Sequence, residues 1–248
     1  MFQLCFSCGY INNYIWFRVQ SISNIDYFEK NYPNILSKVE VLNNWLGEME
    51  CKTSSIDINK TSLSGRYIFI YAGNMGLAQK LENILNLVIE LKDNNEIGFI
   101  FLGDGDAKDK LKQIIKSEKC TNVLFFDPIP HSELSNLYEQ CNLGIISLDP
   151  KHKTHNIPGK FLSYLMNGLG IFAIVNEGND LISINNDYNI GIVTTHTEPE
   201  YLKRIFIEYY EKNKDDKDIS TKSRKVSLDM FSSSSACNQI LSIFEYKH

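Results

Sequence analysis

The sequence predicts a doubly wound α/β fold on a parallel sheet, and three observations predict it. From Arg66 onward, short β-rich runs alternate with amphipathic helical runs, the pattern of parallel strands joined by crossover helices. The first of these runs, Tyr67 to Ala72 (YIFIYA), is apolar almost throughout, as a strand covered on both faces must be. Glycines then punctuate the turns that follow the first two strand-like runs, at Gly73 and Gly76 and at Gly103 and Gly105.

The elements follow in order. Upstream, Ile25 to Tyr32 reads as a helix and Val39 to Leu42 as a strand, and Asn43 to Ser64 is a polar connector poor in strand formers. After the YIFIYA strand, Leu77, Leu81, Ile84, Leu85, Val88 and Leu91 recur at helical spacing and predict one long helix. Ile97 to Leu102 is the second strand of this part, Lys108 to Lys116 a helix, and Val123 to Phe126 the third strand. A helix from about Ser132 carries Leu134, Leu137, Tyr138 and Cys141 on one face, with Cys141 as a small buried hydrophobe. Leu143 to Leu148 is the fourth strand and leads into a polar, basic loop, Asp149 to Asn156. Pro158 then opens a helix that Gly168 closes. Ile171 to Val175 and Ile190 to Val193 are the last two strands. Residues 198–248 read as a helical pair with a lysine-rich interruption near Asn213 to Lys225, and the Ser232 to Ser235 run reads as a helix start.

Composition narrows the classes. A net charge of -5 with interspersed signs offers no basic field for nucleic acid. No run approaches the ~20 apolar residues of a membrane span, and Met1 to Trp16 has neither a basic leader nor a small-residue cleavage site, so a cytoplasmic protein is expected. Cys5 and Cys8 form a C-x-x-C, but no second Cys or His pair follows at zinc spacing, and no metal is assigned.

Ligands of open parallel sheets sit outside the carboxyl ends of the strands, so the loops there hold the candidate chemistry. Gly73-Asn74-Met75-Gly76 offers bare amides at the start of a helix, suited to a diphosphate or simply to a tight turn. Asp104 and Asp106 read as a turn and a helix cap. Asp127-Pro128-Ile129 is stiffened by proline and can present peptide groups to a nucleobase, whereas His131 reads as a solvent-facing helix start. Lys160 falls in the first turn of a helix, where the dipole opposes a cation unless an anion is bound; the alternative is a solvated lysine.

In this order the stretches YAGNMGLAQKLENIL (71–85), FLGDGD (101–106), FFDPIPHSEL (125–134) and NIPGKFLSYLMNG (156–168) resemble the C-terminal, donor-binding domain of retaining glycosyltransferases of the GT-B fold, family 4 type. The resemblance covers about residues 66–246 and is closest to the O-antigen and capsule branch, which includes fucosaminyltransferases. It implies a Rossmann-like domain over 66–248, a linker over 49–65, and in 1–48 a remnant of the acceptor-binding domain, whose last helix and strand residues 21–48 resemble. It also implies a UDP- or GDP-sugar donor, a lipid-linked oligosaccharide acceptor, no cofactor or metal, and a place at the inner face of the cytoplasmic membrane through peripheral association.

The cations that hold the donor diphosphate in that family fall at Asn74 and Gln79, both uncharged here, which leaves Lys160 of the proline-x-lysine motif to neutralise charge. The family's two glutamates fall at His155, near the sugar, and Ser163, near the ribose, and both depart from the pattern. The loop chemistry and the resemblance together assign His155 and Lys160 to catalysis; Gly73, Asn74, Met75, Gly76, Gln79 and Lys160 to the diphosphate; Ser163 to the ribose; and Asp127, Pro128 and Ile129 to the base. Three other readings stay open: a truncated, non-catalytic donor-binding subunit, a sugar-nucleotide epimerase of related fold, and a nicotinamide oxidoreductase. The last wants G-x-G-x-x-G after its first strand, and the first half of that motif is absent.

Overall fold

The computed structural model describes residues 17–47, 50–149, 157–216 and 218–245. Its centre is a six-stranded, all-parallel sheet: β3 (Tyr67–Ala72), β4 (Ile97–Leu102), β5 (Val123–Phe126), β6 (Leu143–Ser147), β7 (Gly170–Ile174) and β8 (Gly191–Thr194), in the order β5-β4-β3-β6-β7-β8. The chain winds outward one way from β3 and the other way from β6. The point of reversal lies between those two neighbours, where open sheets leave a crevice at the strands' carboxyl ends.

Alternation along each strand builds two cores. Ile68, Ile70 and Ala72 of β3 face one side, which is covered by α4 (His131–Tyr138), α5 (Gly159–Met166), α6 (Asp180–Tyr188) and α8 (Asp218–Phe231). Phe69 and Tyr71 face the other, under α2 (Glu82–Glu90), α3 (Lys108–Ser117) and α7 (Pro199–Asn213). Phe206 of α7 is the hub of that second side, its ring 4.2 Å from that of Phe69 and edge-on to Phe172 at 5.4 Å.

Several elements differ from expectation. The helix predicted from Leu77 begins only at Glu82: residues Leu77–Gln79 form a 3-10 turn, and Lys80 is left-handed (φ 45°, ψ 46°), which breaks the continuous stripe. Leu77 is consequently 77% exposed instead of facing the sheet. Cap assignment also shifts at α3, whose capping position is Ala107 with no side-chain bond, so Asp106 caps nothing among the described residues. The helix α6 between β7 and β8 carries little periodic signal. It buries only Leu181 and Ile184 among its apolar residues and owes its start to Asn179, whose side chain accepts from the Leu181 amide at 3.1 Å.

The lysine-rich segment near 213–225 is mostly helix. Within α8, Ile219, Ser223, Val226 and Ser227 form the buried face while the charged residues point outward. Three terminal helices stand where a pair was expected, the third being α9 (Ser233–Glu245), whose start Ser232 caps through its hydroxyl to the Ser235 amide at 3.0 Å.

Ahead of the main sheet, β1 (Phe17–Val19) and β2 (Val39–Val41) pair in parallel around α1 (Ile22–Asn31), a strand-helix-strand unit with its own small core of Val19, Phe28 and Val39. β1 was not anticipated, and α1 starts three residues before its periodicity predicts. The cause is remote. The Ile22 amide donates to Asp180 Oδ2 at 2.7 Å and the Ser23 amide to Asp180 Oδ1 at 3.3 Å, so a carboxylate at the start of α6 satisfies the free amides of α1. The terminal helices reach back to the same region, with the Leu46 amide bound to Phe231 O at 3.0 Å and Gln239 Nε2 donating to Val41 O. Among the described residues, no helix is long and apolar enough to cross a membrane.

Candidate functional site

Two loops at the carboxyl edge of the sheet, those after β3 and β4, stack directly on one another. The Gly73 amide donates to Leu102 O at 2.9 Å, Met75 to Asp104 O at 2.7 Å, and Ala107 back to Met75 O at 3.0 Å. The approach is so close that a β-carbon on Gly103 (φ +137°) would lie 2.0 Å from Gly73 O, and one on Gly105 2.6 Å from Asn74 Oδ1. The glycines of the second loop therefore serve contact between loops more than the turn itself.

A cavity of about 490 Å³ opens against this stack, and its walls bring together Gly73, Asn74, Pro128, Ile129, Lys160 and Ser163. Lys160 comes from the first turn of α5, whose start Pro158 fixes in extended conformation. Its ammonium lies over the Tyr71 ring, 3.9 Å from the centroid, and 3.6 Å from where a β-carbon on Gly73 would stand. No carboxylate pairs with it among the described residues. Burial pulls its pKa from 10.5 down to about 7, because a desolvated amine sheds charge that no anion compensates.

Tyr71 and Tyr164 hold this corner rigid. The Tyr71 hydroxyl donates to Asn74 O, and burial raises its pKa well above the ordinary value. Tyr164 lies flat on Gly144, where a β-carbon would fall 2.2 Å from its ring, and its hydroxyl accepts from the Ala72 amide at 3.0 Å while donating to Ile145 O at 3.3 Å. One side chain of α5 thus binds both β3 and β6 at the point where the winding reverses.

The remaining expected residues fall elsewhere. Met75 is fully buried, and its amide, like that of Gly73, is already bonded, which leaves the Asn74 and Gly76 amides as donors without a backbone partner among the described residues. The expected positive helix end behind them is absent, because α2 begins six residues beyond Gly76. Gln79 does not line the cavity; its Oε1 is buried beside Gly76 without a partner among the described residues. The Asp127 side chain is 87% exposed and turned away, bound at 2.6 Å to Lys108, whose hydrogen bond and charge hold that carboxyl below the usual range. Ser163 does line the cavity, its hydroxyl 3.4 Å from Gly159 O. His155, Cys5 and Cys8 lie outside the described residues. Sequence reasoning passed over Tyr71, Tyr164 and Lys108, since each reads locally as ordinary strand or helix.

The cavity, which Asn74 lines and Gly76 does not, offers one cation, the Asn74 amide and an apolar slot at a switch point, suited to an anion joined to a flat apolar group. The model of the family described as glycosyl transferases group 1 matches residues 54–226. The chain is 26% identical over 174 residues to the probable glycosyltransferase WbjE of Pseudomonas aeruginosa, which covers 68% of this chain and 43% of WbjE. The chain therefore matches less than half the length of that relative. Its fold superposes on Anabaena HepE, solved with UDP-glucose, with a TM-score of 0.72 at 14% identity over 93% of this chain and 64% of HepE. It superposes likewise on WaaG, a glycosyltransferase involved in lipopolysaccharide biosynthesis, with a TM-score of 0.67 at 13% identity over 91% of this chain and 62% of WaaG. With more than half its length matched by the family model, and with the doubly wound parallel sheet those structures share, the chain belongs to the glycosyl transferases group 1 family.

Proposed function

We propose that this chain is the donor-binding part of a retaining glycosyltransferase that moves a sugar from a UDP- or GDP-sugar to a lipid-linked oligosaccharide in bacterial surface polysaccharide synthesis. The observation that carries the reading is Lys160: a partly buried ammonium with no carboxylate among the described residues, set against Gly73 in the same cavity as Pro128, Ile129 and Ser163. An amine left in that state is stabilised by an incoming anion, and the departing diphosphate is where charge develops during transfer. Lys160 with the Asn74 amide then faces the diphosphate, Ser163 the ribose, and the Pro128–Ile129 peptide the base. The UDP-glucose bound by HepE and the lipopolysaccharide role of WaaG support the donor and acceptor classes. The unit formed by residues 17–42 belongs, in this reading, to the acceptor-binding half.

A second reading, a donor-binding subunit without transfer activity, is favoured by Ser163, which stands where the family resemblance places a glutamate and spends its hydroxyl on Gly159 O. Titration of the chain with UDP, GDP and NAD while following its melting temperature tests the common core of both, because a ligand of the folded state raises that temperature with concentration. UDP or GDP is expected to stabilise the wild type, and Lys160→Ala to abolish the shift. Stabilisation by NAD alone would overturn the proposal. Sugar transfer by a polypeptide that also carries the acceptor-binding half separates enzyme from subunit.

A further inference from the structure

We propose that Lys108 is a positioning residue that fixes the distance between the phosphate-facing and base-facing walls of the donor cavity; this rests on the donor-binding reading above. Lys108 is the first residue of α3 and only 6% exposed, although lysine is almost never buried without a partner and a cation in a helix's first turn is opposed by the dipole. Its ammonium donates to Gly103 O at 2.7 Å and to Asp127 Oδ1 at 2.6 Å. One acceptor belongs to the loop after β4 and the other to the loop after β5.

Lys108 does not line the cavity, but the neighbours of both its acceptors do: Asp104 on one side, Pro128 and Ile129 on the other. The β4 loop is in turn clamped to the β3 loop through Gly103 and Gly105. Lys108 is therefore the side-chain tie between the stack that carries Gly73 and Asn74 and the proline-stiffened loop that stands apart from it. Among the described residues, the only backbone bond between these two loops runs from the Gly103 amide to Phe126 O, at 3.2 Å, one residue short of Asp127. A nucleoside diphosphate must engage both walls at once, so a shift of one against the other costs affinity for the whole molecule while leaving the phosphate contacts in place.

Binding of UDP, GDP and inorganic pyrophosphate to the wild type, Lys108→Met, Lys108→Arg and Asp127→Asn, measured by calorimetry with melting temperatures recorded beside it, tests this. Lys108→Met keeps the buried stem and drops the charge. Asp127→Asn sits on the surface and leaves the core untouched. Both are expected to weaken the preferred nucleotide at least tenfold and pyrophosphate less than twofold, with Lys108→Arg recovering part of the loss. Equal loss of nucleotide and pyrophosphate, or a fall in melting temperature with unchanged nucleotide affinity, would reduce Lys108 to a structural residue and overturn the assignment. If the wild type binds neither nucleotide, the donor reading itself fails and takes this inference with it; if the wild type binds and Asp127→Asn binds equally well, only the inference fails.

Discussion

Lys160 is legible in sequence as a cation in the first turn of a helix, yet its state depends on Tyr71, 89 positions earlier in the chain, whose ring face the ammonium covers. That state has a pH signature. The folded pKa is about 7 against an ordinary 10.5, so between those values the unfolded chain holds a proton that the empty folded protein has released. Stability of the empty protein therefore rises with pH across that window, the burial penalty being fully present below about 7. Nucleotide binding runs the other way, since the diphosphate needs the charged ammonium. Affinity for UDP is expected to fall by up to about tenfold between pH 7.5 and 8.5, a range in which the phosphate is already ionised. Lys160→Arg should flatten the profile, and a wild-type profile that is already flat would dissociate Lys160 from the phosphate. Asp127 shows the opposite limit. Its place after a strand suggested a ligand contact, but its partner Lys108 lies 19 residues upstream and no local pattern announces the pair.

The strands of the main sheet were the most legible elements, because a strand covered on both faces writes an apolar run such as YIFIYA or IGFIFL whatever its surroundings. Helix starts were the least legible. The stripe of Leu77, Leu81 and Leu85 satisfies helical spacing, but left-handed Lys80 interrupts it, and α6 has too few apolar positions to signal itself. The loops between these elements depend on glycine for contact. At Gly103 a methyl group would meet Gly73 O at 2.0 Å, and the φ of +137° already excludes most side chains. Gly103→Ala is expected to cost about 2–4 kcal/mol of stability, seen as a lower urea midpoint with unchanged slope. A loss below about 0.5 kcal/mol would mean that the loops separate easily and do not act as one stack.

At the scale of the whole molecule, the doubly wound class follows from the alternation of runs, whereas the docking of residues 17–42 does not. Their main polar attachment joins positions 158 residues apart, between the Ile22 amide and Asp180. Asp180→Ala should free α1 at a cost of about 1–2 kcal/mol, visible as faster amide exchange across Ile22–Asn31 while β3 and β4 keep their protection. Exchange accelerated everywhere would show instead that the small unit and the main sheet unfold together. The same attachment sets an order of events when the chain is made. The start of α1 leaves the ribosome long before the carboxylate that completes it, and at about 5–20 residues per second the delay is on the order of 8–30 s. During that interval the short helix and its two-stranded sheet must wait, incomplete, for a residue that has not yet been synthesised.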